Sequence, residues 1–165
     1  MEEVAYIGLG SNLGDGRHNL QTAWHRLGIL PGITLLALSS PYRTSPMGMQ
    51  SSFWFTNAVG KISTCLTPEE LLQCLLRVEQ EMGRKRELGR DREIDLDLLL
   101  YGARVITIAG LTVPHPEMHT RLFVLEPLCE LAADLRHPAL DRTMQELRRE
   151  VGRDPNQSIE KFSWH

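Results

Sequence analysis

Cysteine is scarce in this 165-residue chain: Cys65, Cys74 and Cys129 are odd in number and lack the paired spacing of a metal site. They read as reduced thiols of a cytoplasmic protein rather than as a disulfide framework. Long apolar runs are missing too. No stretch approaches the roughly 20 residues that span a membrane, and the acidic Met1-Glu2-Glu3 start carries no basic leader, so a soluble protein with no membrane partner is expected. Positive charge is in short supply, the formal net charge being -3 and the pI near 6.1. Without a net positive field nothing drives counterion release from a nucleic acid. With aromatics at 6%, the stacking platforms of an RNA-binding sheet are lacking as well. Repeats, low-complexity tracts and Pro/Ser linkers are absent, which leaves residues 1–165 as a single domain, long enough to bury a core.

What stands out against this background is Arg92 to Gly102. Ile94, Leu96, Leu98 and Leu100 alternate with Asp95, Asp97, Leu99 and Tyr101, the period of a β-strand with one buried face. Both carboxylates then point the same way, and at roughly 3.3 Å of rise per residue their Cα atoms lie about 6.6 Å apart. Hard cations such as Mg²⁺ are commonly held by one or two carboxylates together with substrate phosphates. A solvated sheet face produces the same alternation. The stretch just before the strand favours the metal: Arg84, Lys85, Arg86, Arg90 and Arg92 concentrate five of the chain's 18 basic residues within a few positions. A metal-bound polyphosphate needs both carboxylates and cations.

Taken in order, Val4 to Leu9 reads as a strand that ends among Gly8, Gly10, Gly14 and Gly16. These glycines match neither a Walker loop nor a dinucleotide fingerprint. They suit a turn first, and secondly a strand end across which a flat ligand approaches the backbone. Leu20, Ala23, Trp24 and Leu27 have helical spacing, stopped by Pro31-Gly32. Ile33 to Ser40 is a second strand, followed by a loop from Pro41 to Gly48, and Phe53 to Ile62 is a third strand. Thr67-Pro68-Glu69-Glu70 predicts a helix start with a capping box, and Leu71, Leu75, Val78 and Met82 give that helix an apolar stripe. The basic segment and the Asp strand follow. Val105 to Val113 reads as a hairpin, Met118 to Ala133 as mostly helical with a break at Pro127, and Thr143 to Val151 as a last helix. Residues beyond Pro155 carry no pattern. The order strand, helix, strand, strand, helix, strand is that of an α+β, ferredoxin-like βαββαβ core, an antiparallel sheet with helices on one face and the other free for a ligand.

Five motifs stand in register: Tyr42-Arg43-Thr44, Phe55-Thr56-Asn57-Ala58, Arg92-Glu-Ile-Asp95-Leu-Asp97, Leu111-Thr-Val-Pro-His115 and Arg121-Leu-Phe123. In order and approximate spacing the chain resembles the 6-hydroxymethyl-7,8-dihydropterin pyrophosphokinases of folate biosynthesis, from about Tyr6 to Glu130. The resemblance implies transfer of the β,γ-diphosphoryl group of ATP to the hydroxymethyl oxygen of the pterin, releasing AMP, by a monomer. It also implies that Asp95 and Asp97 hold two Mg²⁺ ions and that Arg84 and Arg92 stabilise the transferred phosphates. Thr44, Ser45, Met47, Phe55, Asn57 and Phe123 are implied as the pterin site, and Glu79, Arg86, Arg92, Leu98, Thr112, His115 and Arg121 as the ATP site. An Asn at the ring's edge is chemically apt, since it offers donor and acceptor together. The chain departs from the family's pattern at Leu88-Gly89-Arg90-Asp91, where Trp-Gly-Pro is common before the arginine, and at Gly110 and Pro116 on the adenine side. Two other readings of the same residues are a different Asp-x-Asp metal-dependent nucleotide transferase and a ferredoxin-like module that binds a small ligand or RNA without chemistry.

Overall fold

Gly8 and Gly10 lie inside the first strand, not in the turn after it. The computed structural model describes residues 2–44, 54–83 and 93–165. In it β1 (Glu3–Ser11) runs two residues past the expected end at Leu9. The reason is pairing: β1 is flanked on one side by β4 (Phe55–Thr64) and on the other by β5 (Asp95–Tyr101), both antiparallel. A ladder on each side satisfies the backbone, so the strand persists through residues with little β-propensity of their own.

The sheet has the order β5-β1-β4-β3-β8, where β3 is Tyr42–Thr44 and β8 is Ile159–Lys161, and β2 (Ile33–Leu38) also pairs with β4. On the edge away from β1, β4 serves two partners: Phe55 to Asn57 pair with β3, and Gly60 to Thr64 with β2. Together β1, β2, β4 and β5, with α1 (Gly16–Gly28) and α2 (Pro68–Glu81), make the ferredoxin-like core the sequence predicts. The capping box of α2 is formed, Thr67 Oγ1 accepting from Glu70 N–H at 3.2 Å and Glu70 Oε1 accepting from Thr67 N–H at 2.9 Å. Leu20, Ala23 and Leu27 of α1 and Leu71, Leu75 and Val78 of α2 are buried on Ile7, Leu9, Ile62, Leu96 and Leu98 of the sheet.

The opposite face is not left open. There α3 (Leu122–Ala132) and α4 (Met144–Val151) build a second core, in which Val124, Leu125, Leu128, Met144 and Leu147 pack with Tyr6, Val59, Leu99 and Leu100. Glu130 of α3 anchors this layer, accepting from Ser40 N–H at 2.9 Å, Ser40 Oγ at 3.0 Å and the Tyr42 hydroxyl at 2.8 Å. The break expected at Pro127 falls instead at Arg121, between a short 3-10 helix (Met118–Thr120) and α3. Pro127 sits within α3, where its missing N–H forfeits one helical bond; buried neighbours on both sides, Leu125 and Leu128, hold the helix through it. The hairpin appears as β6 (Ile106–Ile108) and β7 (Leu111–Val113). Two strands, β3 and β8, lie where the sequence predicts a loop and no structure.

The period of β5 also breaks. Ile7 opposes Leu98 and Tyr6 opposes Leu100, so Leu99 is an extra residue that makes a β-bulge. Ile94, Leu96 and Leu98 face the α1/α2 core. Leu99 and Leu100 both join the second core, and Tyr101 returns to the first, donating its hydroxyl to the Leu66 carbonyl. The alternation read from the sequence therefore holds through Leu99 and fails for Leu100 and Tyr101.

Candidate active site

Between the sheet and the start of α3 lies a cavity of about 590 Å³. Its floor follows from the sheet register. Gly10 pairs with Asn57 on one side and Asp95 on the other, while Gly8 pairs with Val59 and Asp97. Two rows thus cross the sheet, each with a glycine in the middle. Adjacent strands are about 4.8 Å apart, so Asn57 and Asp95 stand roughly 10 Å from each other across a strip of bare backbone. The glycine row leaves room at its centre: a Cβ on Gly10 would sit 3.0 Å from Asn57 Oδ1.

One end of this floor is polar and nearly sealed. Asn57 is 5% exposed, and its Nδ2 donates to Thr44 Oγ1 at 3.1 Å. That bond fixes the amide's orientation and leaves Oδ1 on the glycine side. Phe55 from β4 and Phe123 from α3 line the cavity at this end, neither counted among the fully buried core residues. A strand Phe that serves only packing would be interior, so their half-exposed position suits a stacking surface. Arg121 lines the rim, its guanidinium 5.5 Å from the centre of the Phe123 ring and paired with Glu117.

The other end carries Asp95 and Asp97, both half-buried on one face of β5 and both in the cavity wall. Among the described residues no cluster of three or more His, Cys, Asp or Glu is placed to hold a metal. Two carboxylates side by side suit a hard cation that completes its shell with phosphate oxygens and water better than they suit zinc.

Seven expected site residues thus share one cavity: Thr44, Phe55, Asn57, Asp95, Asp97, Arg121 and Phe123. Others lie elsewhere. The Leu98 side chain is buried in the α1/α2 core, and Glu79 is 2% exposed on the same side, where its Oε2 accepts from Leu96 N–H at 2.8 Å. Thr112 and His115 line a separate cavity of about 230 Å³ with His119 and His137. Ser45, Met47, Arg84, Arg86 and Arg92 fall outside the described residues. The floor contributed by Gly8 and Gly10 is the alternative that the sequence offers beside a turn, a glycine-lined strand across which a flat ligand can approach. Sequence reasoning missed Glu117 and a wall formed by Asp154, Gln157, Ser158 and Ile159, for which a short polar segment gives no periodic signal.

The smaller cavity has a titration of its own. Burial, and next the Arg121 charge, hold the His115 pKa below its usual value; burial and then His119 do the same for His137. The geometry at His137 works in the same direction as burial, since its Nδ1 accepts from Ala139 N–H at 3.2 Å and Leu140 N–H at 3.1 Å, bonds that a proton on Nδ1 would end. A folded-state pKa below the unfolded value of about 6.5 means that the unfolded chain binds these protons first as the pH falls. Stability should therefore decline as the pH drops through about 6.5 and level off once the folded histidines protonate, with a slope of at most about 1.4 kcal/mol per pH unit for each. Urea denaturation between pH 7.5 and 5 checks this, His137→Gln making the slope shallower. An unaltered slope in that variant would rule out His137 as a contributor.

Comparison with known proteins now bears on this geometry. The family model for 7,8-dihydro-6-hydroxymethylpterin-pyrophosphokinase matches residues 6–133, most of the chain. The chain belongs to this family. The 2-amino-4-hydroxy-6-hydroxymethyldihydropteridine pyrophosphokinase of Haemophilus influenzae is 46% identical over 137 residues, covering 82% of this chain and 85% of that protein. That of Bacillus subtilis is 41% identical over 140 residues, 84% of each. Folic acid synthesis protein fol1 of Schizosaccharomyces pombe is 41% identical over 162 residues, 98% of this chain and 22% of a much longer protein. Among solved structures, wild-type HPPK-DHPS of Plasmodium falciparum with pteroate superposes with a TM-score of 0.75 at 12% identity, covering 95% of this chain and 45% of that one, a likeness of fold.

Proposed function

We propose that this pyrophosphokinase-family chain transfers the diphosphoryl group of ATP to the hydroxymethyl oxygen of 6-hydroxymethyl-7,8-dihydropterin, as a step of folate biosynthesis. The new bond joins that oxygen to the β-phosphorus, the bond from the β-phosphorus to the α,β-bridging oxygen breaks, AMP leaves, and the hydroxyl proton is lost. The observation that carries this reading is the shared cavity, with a polar and aromatic end separated from two carboxylates by a strip of glycine backbone.

Each side chain then has a task. Asn57, held by Thr44, pairs with the donor and acceptor edge of the pterin, and Phe55 and Phe123 confine its ring. The bare backbone of Gly8 and Gly10 lets the flat ring lie close to the sheet, which points the hydroxymethyl group toward Asp95 and Asp97. These two carboxylates hold a pair of Mg²⁺ ions, whose chemistry is to neutralise charge on the ATP phosphates. Arg121 at the rim binds the polyphosphate, and Arg84, Arg86 and Arg92 add cations to it. Thr112 and His115 serve the nucleoside side, His115 as neutral imidazole at pH 7. We read Glu79 and Leu98 as acting on ATP only through the strand they support. This domain works as a monomer in the cytoplasm with small-molecule partners and no nucleic acid.

Incubation with ATP, Mg²⁺ and the dihydropterin should yield AMP and the pterin diphosphate in equal amounts. Absence of AMP with tight dihydropterin binding would favour the non-catalytic binding module instead. Asn57→Ala leaves the ring's polar edge unpaired in a closed site, at a cost of about 1 to 3 kcal/mol. Dihydropterin affinity should fall roughly 5- to 150-fold, with binding of a non-hydrolysable ATP analogue nearly unchanged. Equal weakening of both ligands in calorimetry would count against this role.

A further inference from the structure

Beyond residue 133, where the family match ends, the chain returns to the cavity. Asp154, Gln157, Ser158 and Ile159 line it, and β8 pairs with β3 at its edge. One side chain ties this segment to the opposite wall. The Gln157 carboxamide straddles Arg121, its Oε1 accepting from Leu122 N–H at 2.8 Å and its Nε2 donating to the Thr120 carbonyl at 2.9 Å. Nε2 also reaches Asp154 Oδ2 at 3.3 Å.

The site of this clasp is a helix start that has no local cap. Arg121 occupies the N-cap position of α3 and makes no side-chain capping bond. The first N–H groups of a helix have no partner within it, and Gln157 satisfies the first of them from 35 residues away in sequence. A carboxamide offers an acceptor to Leu122 and a donor to Thr120 at once, without needing to be protonated. The residues on either side of Leu122, Arg121 and Phe123, both line the cavity.

We propose that Gln157 is a positioning residue: by pinning the backbone on both sides of Arg121 it sets where Arg121 and Phe123 stand against the substrates. The chain outside the family match thereby takes part in substrate binding. This rests on the functional reading above, with Phe123 at the pterin.

The test compares Q157A and Q157E with the wild type. Loss of both bonds in Q157A should raise KM for the dihydropterin on the order of tenfold and change kcat far less. Amide exchange at Leu122 should quicken, a readout independent of catalysis. In Q157E the ionised carboxylate keeps the acceptor, loses the donor and faces the Thr120 carbonyl. Its KM defect, taken as a ratio to wild type at each pH, should be large at pH 8. It should shrink as the pH falls, because a protonated carboxyl donates again; the adjacent Asp154 carboxylate favours that protonation and the Arg121 cation opposes it. A general packing role for Gln157 would not produce this recovery. Wild-type KM in Q157A, or a Q157E ratio that stays constant with pH, would overturn the proposal while leaving the family activity standing. Failure of the wild type to turn over or bind the dihydropterin would overturn both.

Discussion

Asp95→Ala and Asp97→Ala should each abolish AMP release from ATP and dihydropterin while leaving the protein folded. Both carboxylates are half-buried in the cavity wall, so truncation removes negative charge from the site without opening a hole in either core. Surface-type substitutions of this kind change stability by less than about 1 kcal/mol. The effect on turnover is of another order. Charge stabilisation by a bound cation supplies several kcal/mol to the transition state, which corresponds to a loss on the order of 10³-fold or more. Among the described residues no third acidic or histidine side chain is clustered with the pair. The measurements are turnover against Mg²⁺ concentration and the urea midpoint of each variant. Turnover retained in both, with its Mg²⁺ dependence unaltered, would remove the metal site from β5.

Glu79→Ala should cost about 2 to 4 kcal/mol of folding free energy, the largest stability effect expected of any single polar residue here. Its carboxylate is 2% exposed and accepts from Leu96 N–H at 2.8 Å. β5 ends the sheet order, so its outward N–H groups have no neighbouring strand, and Glu79 from α2 supplies the acceptor that a strand would have given. Removal leaves a buried donor unsatisfied, worth about 1 to 3 kcal/mol, and a void among packed neighbours in addition. Because Leu96 stands between Asp95 and Asp97, the tie also holds the strand that presents them. Glu79→Gln keeps an acceptor and should be milder. A urea midpoint for Glu79→Ala matching wild type would show that the tie is not stabilising.

The legible parts of the fold were those with a long period or a strong local signal. The Asp95/Asp97 spacing, the Thr67 capping box and the apolar stripes of α1 and α2 each span enough residues to show which face is buried, and the structure bears them out. β3 and β8 are three residues long, too short to show alternation, and exist because an established sheet edge offered partners. Glu79 lay beside the stripe of α2 as one more acid on an exposed-looking flank; nothing local marks it as buried. Of the site, the resemblance supplied Phe55, Asn57 and Phe123 in advance of any geometry. The glycine floor and the Gln157 clasp needed the strand register and the chain's return, both products of contacts distant in sequence.

The bulge at Leu99 lets β5 absorb a change in length as well as changes in side chain. Upstream of it the phase of the strand is fixed by Asp95 and Asp97 in the cavity and Leu96 and Leu98 in the α1/α2 core; downstream, Tyr101 must reach Leu66 on the helix side. An exchange of Leu100 for Met keeps both phases. Deleting Leu100 would restore plain alternation, with Leu99 taking the place opposite Tyr6 and Tyr101 still opposite Ala5 on the helix side. Homologous chains that share this site are therefore expected to differ by one residue between the second aspartate and the tyrosine position without changing the face that either presents.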